Sequence, residues 1–193
     1  PEWVTGSCDF FTHERRVESR DEGVVVFDTF TNLTNENLGI MHRHEVAVGS
    51  ALKRLWLAGL EQPGLAGKTS SPPNPTTFGC TENAGIGLLA SDDVTRVHVL
   101  NYAAAGALGL ADNNLVLPPG KSHTAEWIIV PTTAPNYWRF INAARRFMDS
   151  NFTIDGGFVF LRQGPLTDAW PDQQVVDFLT FKEPYYVCSS IGT

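Results

Sequence analysis

LPPGKSHTAEWIIVPTTAPNYWRFINAARRFMDSNFTIDGGFVFLRQ, residues 117–163, is the stretch whose reading decides the fold. Within 124–130, Ala125, Trp127 and Ile129 share one face of an extended chain, the mark of a strand. Pro131 and Pro135 then change the rhythm. Tyr137, Phe140, Ile141, Ala144, Phe147 and Met148 recur on one face of a helix. Pro135 suits a first helical turn, and Arg145 and Arg146 suit the negative end of the helix dipole. Gly156 and Gly157 lead into the apolar run 158–161, a second strand. This order marks a joint between an all-β region and an α/β region.

Upstream the pattern is one of strands. Residues 7–20 read as one strand or two short ones, with mixed charges that protect an edge. Residues 23–34 are rich in β-branched and aromatic types and have no purely polar side, so both faces are covered for part of the length. A turn at Asn35-Glu36-Asn37 with Gly39 precedes a return strand over 40–48. In 49–58, Leu52, Leu55 and Trp56 fit a helical face in a run too short to decide. Residues 59–77 carry Pro63, Pro72, Pro73 and Pro75 and read as a long loop. Strands are expected over 84–90 and 95–102, with Ser91-Asp92-Asp93 as the turn between them. The small residues of 103–109 imply a loop or a close backbone approach. Downstream, 172–182 reads as a helix stopped by Glu183-Pro184, and 185–189 as a strand. That makes 157–190 a βαβ unit, which demands parallel strands and a right-handed crossover.

The expected class is mainly β. An antiparallel β-sandwich, supersandwich-like, fills 1–134. A linking helix and a first βαβ unit, resembling the start of a TIM barrel, fill 135–193.

Composition narrows the function classes. The 193 residues hold 14 Lys and Arg against 21 Asp and Glu, a net charge of −7. That argues against a nucleic-acid surface, which needs clustered cations. No apolar run reaches the ~18 residues of a membrane helix. The chain starts at Pro1 rather than Met, so it reads as processed or excised, and a periplasmic or secreted location stays open. Cys8, Cys80 and Cys188 are an odd, widely spaced set that reads as small thiols rather than a zinc knuckle. Asn32-Leu33-Thr34 and Asn151-Phe152-Thr153 match the glycosylation sequon, a pattern that chance also produces.

LPPGKSHTAEWIIVP, YWRFINAARR and NFTIDGGFVFL, taken in order, resemble the joint of bacterial glycoside hydrolases. In that layout a galactose-mutarotase-like β-sandwich precedes a (β/α)8 catalytic barrel through a linking helix. The resemblance implies a carbohydrate-active protein that hydrolyses O-glycosyl bonds, with carbohydrate as partner and no cofactor. It also implies that the chain is catalytically incomplete. An eight-stranded barrel needs roughly 200 residues or more, and fewer follow Pro135. Either a C-terminal barrel is missing or a neighbouring copy in a homo-oligomer covers the last strands. No catalytic residue is carried over. The alternative is a non-catalytic carbohydrate-binding or assembly module.

Candidate site residues follow from position. Barrel sites gather at the C-terminal ends of strands, which points to Arg162 and Gln163, with Trp170 as a ring to stack on sugar. Asp155 and Glu183 lie at the wrong ends and read as turn and capping residues. Trp127 and Trp138 read as packing at the joint. His42-Arg43-His44 is the sharpest polar motif. On a strand both imidazoles face the same way, a geometry that can hold a metal if His13, His98 or His123 supplies a third ligand. A metal-binding sandwich is thus a third reading.

Overall fold

The computed structural model describes residues 4–70, 74–153, 156–162, 164 and 167–190. Fourteen strands occur among them: β1 (Val4–Ser7), β2 (Phe11–Arg20), β3 (Gly23–Asn32), β4 (Leu38–Ala47), β5 (Arg54–Leu57), β6 (Leu60–Glu61), β7 (Gly67–Ser70), β8 (Thr76–Cys80), β9 (Gly85–Ala90), β10 (Leu100–Ala104), β11 (Ala107–Leu117), β12 (Ser122–Thr132), β13 (Gly157–Arg162) and β14 (Pro184–Ser190). Three helices accompany them: α1 (Thr95–His98), α2 (Tyr137–Phe147) and α3 (Asp172–Lys182).

Eight strands form one sheet in the order β1-β2-β3-β12-β9-β8-β5-β6, and four form a second, β4-β11-β10-β7. Every pair in both sheets is antiparallel. The inner faces meet in an apolar core of Val26, Leu55, Leu57, Leu88 and Trp127 from the large sheet against Ala103, Leu108 and Leu110 from the small one. A second cluster, Phe30, Ile40, Leu115 and Leu117, closes the other end of the interior.

The outer face of the large sheet is also covered. Helix α2 lays Tyr137, Phe140, Ala143 and Ala144 on Val25, Phe78, Leu89, Ile128 and Val130. This explains the doubly apolar β3: Val26 faces the small sheet while Val25 faces the helix. Asn136 caps α2, its side-chain oxygen accepting from the Trp138 and Arg139 N–H groups. The chain separates into compact units after Ser150, so α2 goes with the sandwich rather than with the residues that follow.

The second unit holds β13, α3 and β14, and the two strands are parallel and adjacent. Phe158, Phe160, Tyr185 and Tyr186 on them are exposed. Glu183 adopts a left-handed conformation (φ 44°) at the end of α3, its N–H returning to the Leu179 carbonyl. It therefore works as a helix stop.

Four expectations change. The stretch 59–77, expected as a long loop, holds β6, β7 and the start of β8, because its short runs pair with neighbouring strands. Residues 49–58 form a short 3-10 turn and then β5, because Leu55 and Leu57 point into the sandwich interior instead of along a helix. The expected strand over 95–102 opens with the single turn α1, whose first N–H groups, on Val94 and Thr95, are held by the Asp92 carboxylate. Residues 103–109 are a tight hairpin, with Ala105 and Gly106 at positive φ, inside a strand pair.

Candidate functional site

The alternation along β4 splits its central motif between two environments. His42 and His44 turn into the sandwich, while Arg43 and Glu45 turn outward to solvent.

Inside, a polar layer separates the two apolar clusters. Asp28 of β3 is fully buried and is its centre. Its Oδ1 accepts from His13 Nε2 at 2.6 Å and from Arg15 Nε at 2.7 Å. Its Oδ2 accepts from Arg15 Nη2 at 3.0 Å and Trp127 Nε1 at 2.9 Å, with His44 Nδ1 3.2 Å away. Burial opposes the charge, but these donors outweigh it and hold the carboxyl well below its ordinary range. His44 Nε2 and His42 Nδ1 are 2.8 Å apart. His42 Nε2 then stands 3.8 Å from Asp112, which His98 Nδ1 reaches at 3.2 Å from the other side. Asp112 sits where the register of β11 against β4 shifts, and its Oδ1 accepts from the Asn114 and Leu115 N–H groups.

His44 Nδ1, though 3.2 Å from Asp28, makes no aligned hydrogen bond to it, and His42 Nε2 is likewise without one, so the bond between the two imidazoles is the one that both rings share. The two imidazoles bond each other instead of converging on a common point, and a shared metal would first have to break that bond. Among the described residues no group of three His, Cys, Asp or Glu side chains is arranged to hold a metal ion. At 6% and 2% exposure, His42 and His44 are not offered to a ligand of sugar size.

Burial first, and the neighbouring His44 imidazole second, push His42 down to about 4 from 6.5, against the opposing pull of Asp112 and Asp28. Unfolded, His42 takes up its proton near 6.5; folded, only near 4. Between these values the unfolded chain binds more protons. The contribution is thus complete above pH 6.5 and lost as pH falls through the window. The slope is at most about 1.4 kcal/mol per pH unit. Asp28, depressed from 3.8, adds a loss of the same sign at lower pH. Urea unfolding at several pH values between 7 and 4.5 is expected to show a falling stability whose slope is reduced in His42→Gln. An unchanged slope in that variant would count against a neutral buried imidazole.

Outside, the same strands build a groove of about 430 Å³ on the exposed face of the small sheet. Strand register sets its layout. One row across the sheet runs Glu45, Gly109, Tyr102, Lys68, and the next runs Arg43, Ala111, Leu100, Ser70. Tyr102 lies across Gly109, where an added Cβ would fall 2.1 Å from its ring, and its hydroxyl donates to Glu45 Oε1 at 2.6 Å. Burial and the adjacent carboxylate hold the phenol well above its ordinary value, so it is a donor and not a base at neutral pH. Ala104 and Ala111 keep the floor low, and Asn113 adds an amide at the edge.

A second cleft, about 450 Å³, opens at the start of α2 between Trp138, Asn136 and the bidentate Arg54–Glu61 pair. Trp138 is 70% exposed, which corrects its expected role in packing; Trp127 is buried as expected.

The remaining candidates divide as follows. Gln163 and the Arg162 side chain lie outside the described residues, as does Asp155. Trp170 is half-buried with its ring 5.6 Å from Phe178. Asn32 of the first sequon is buried, its amide donating to the Glu36 and Leu117 carbonyls, so a glycan cannot be carried there in the folded chain. Asn151 is exposed. Sequence reasoning missed Tyr102 and Lys68, which only the strand register brings beside Arg43 and Glu45.

No family model and no curated protein matches the chain. Solved structures do. A polysaccharide lyase superposes with a TM-score of 0.50 at 14% identity, over 84% of this chain and 25% of that one. A protein from Escherichia coli K12 described as an aldose 1-epimerase gives 0.49 at 11% identity, over 69% of each chain. A galactose mutarotase-like protein from Lactobacillus casei ATCC 334 gives 0.44 at 12%, over 67% of this chain and 68% of that one. At such identities the likeness is one of fold, a β-sandwich.

Proposed function

We propose that this chain is the β-sandwich portion of a carbohydrate-active protein and that the outer face of its small sheet binds sugar. The groove carries the reading. It offers a donor–acceptor set suited to hydroxyl groups (Arg43, Glu45, Lys68, Tyr102 and Asn113) over a floor of small residues. Its volume falls among small-molecule sites, about 300–1,000 Å³. The fold shared with a polysaccharide lyase makes carbohydrate the first ligand class to test.

Glycoside hydrolysis is the finer reading. It needs two carboxylates roughly 5–10 Å apart. Glu45 is the single carboxylate lining the groove among the described residues, and it already accepts from Tyr102. On this reading the sandwich binds, and catalysis belongs to an α/β barrel whose first strands are β13 and β14. The parallel pair with its exposed aromatic rings supports that placement, because such strands are ordinarily covered on both faces. Sugar contacts by Arg162, Gln163 and Trp170 belong to the same proposal.

Calorimetric titration with a panel of oligosaccharides tests it. Binding is expected without turnover of aryl glycosides. Tyr102→Phe and Asn113→Ala are expected to weaken binding about tenfold each, the worth of one hydrogen bond of roughly 1–1.5 kcal/mol. Affinity that survives both changes but vanishes in Trp138→Ala would move the site to the cleft at α2.

A further inference from the structure

The arginines of this acidic chain are mostly neutralised by carboxylates. Arg15 pairs with Asp28, Arg16 and Arg20 with Glu18, Arg54 with Glu61, Arg96 with Asp93 and Arg146 with Glu22. Arg43 and Lys68 form no ion pair among the described residues, and both line the groove. The nearest candidate on the strand, Glu45, is held by the Tyr102 hydroxyl instead. The groove therefore presents two cations against one carboxylate, a net positive charge, with Arg43 and Lys68 at opposite sides of a floor made of Ala104 and Ala111. They stand on β4 and β7, the two edges of the sheet, three strand spacings or roughly 14 Å apart at the backbone. Both side chains are long enough to lean over a sugar lying between them.

We infer that the groove selects an anionic sugar, and in particular one bearing a carboxylate, a uronic acid. This rests on the reading of the groove as a carbohydrate site and adds the charge of the ligand. The planar Arg43 guanidinium matches a carboxylate with two parallel hydrogen bonds, which the point charge of Lys68 supplements. Tyr102 and Asn113 are left for the ring hydroxyls. Glu45 stands two residues from Arg43 on the same face of β4 and, with one oxygen accepting from Tyr102, repels a carboxylate in the row it shares with Lys68 and so favours one in the row of Arg43.

The test is titration of the full chain with uronic-acid oligosaccharides (galacturonate, glucuronate and mannuronate series), each beside its carboxyl-methyl ester and its carboxyl-reduced form, and with a sulfated oligosaccharide. At least one acid is expected to bind tenfold or more tighter than its ester. That preference is expected to shrink in Arg43→Gln and Lys68→Gln and to fall with added salt. Preference for the sulfated sugar over every uronate would overturn the carboxylate assignment. Equal affinity for acid, ester and reduced forms, with loss of all three in Tyr102→Phe, would overturn the charge inference and leave the carbohydrate reading standing. Binding of none of them, with neutral sugars also inert, would overturn both.

Discussion

Asp28→Ala is expected to lower folding stability by about 3–5 kcal/mol, the cost of removing one partner from a buried charged network. Four side-chain hydrogen bonds reach the carboxylate, from His13, Arg15 through two nitrogens, and Trp127, and His44 Nδ1 lies 3.2 Å away. Trp127 is buried and has no route to water once the acceptor is gone. Each orphaned donor costs about 1–3 kcal/mol, and Arg15 keeps a charge that had been compensated. Asp28→Asn keeps one acceptor oxygen and is expected to recover part of the loss. Urea unfolding with an unchanged m-value would measure both. A loss below about 1 kcal/mol in the alanine variant would mean that the layer is loosely held and exchanges its bonds with water, contrary to the full burial of Asp28.

How far this arrangement could be read from the sequence depends on the range of the interactions. Helix α2, α3 and the parallel strands β13 and β14 were legible, because their apolar spacing is local and strong. The strand β11 was not. In its first half Ala107, Gly109 and Ala111, poor strand formers taken alone, alternate with Leu108 and Leu110. They belong in a sheet here because Tyr102 from the neighbouring strand fills the space above Gly109. Edge strand β7, the polar run GKTS, reads as loop from sequence for the same reason: its pairing with β10 supplies what its composition lacks. In the site, the common direction of His42 and His44 followed from alternation alone. Their partners Asp28 and Asp112 did not, since one is set by the facing sheet and the other by a register shift in β11. The outward Arg43 and Glu45 were equally visible as alternates, yet nothing local announces that Lys68 and Tyr102 complete their surface.

Phe140→Ala is expected to be comparably damaging, about 3–5 kcal/mol, because it empties the contact that fixes α2 to the large sheet. Phe140 is fully buried and stacks on Phe78 with ring centres 5.4 Å apart and planes at 15°. It fits because β9 presents no side chain beneath it: a Cβ built on Gly87 would lie 2.2 Å from the ring. Gly87→Ala is accordingly expected to cost about 1–3 kcal/mol by overpacking. The two losses should not add. Once the phenyl ring is gone, the new methyl group has room and fills part of the cavity, so the double variant is expected to be more stable than the sum of the singles by at least about 1 kcal/mol. Strict additivity would show that the helix does not rest on Gly87 in solution, and with it would go the assignment of α2 to the sandwich rather than to the α/β unit that follows.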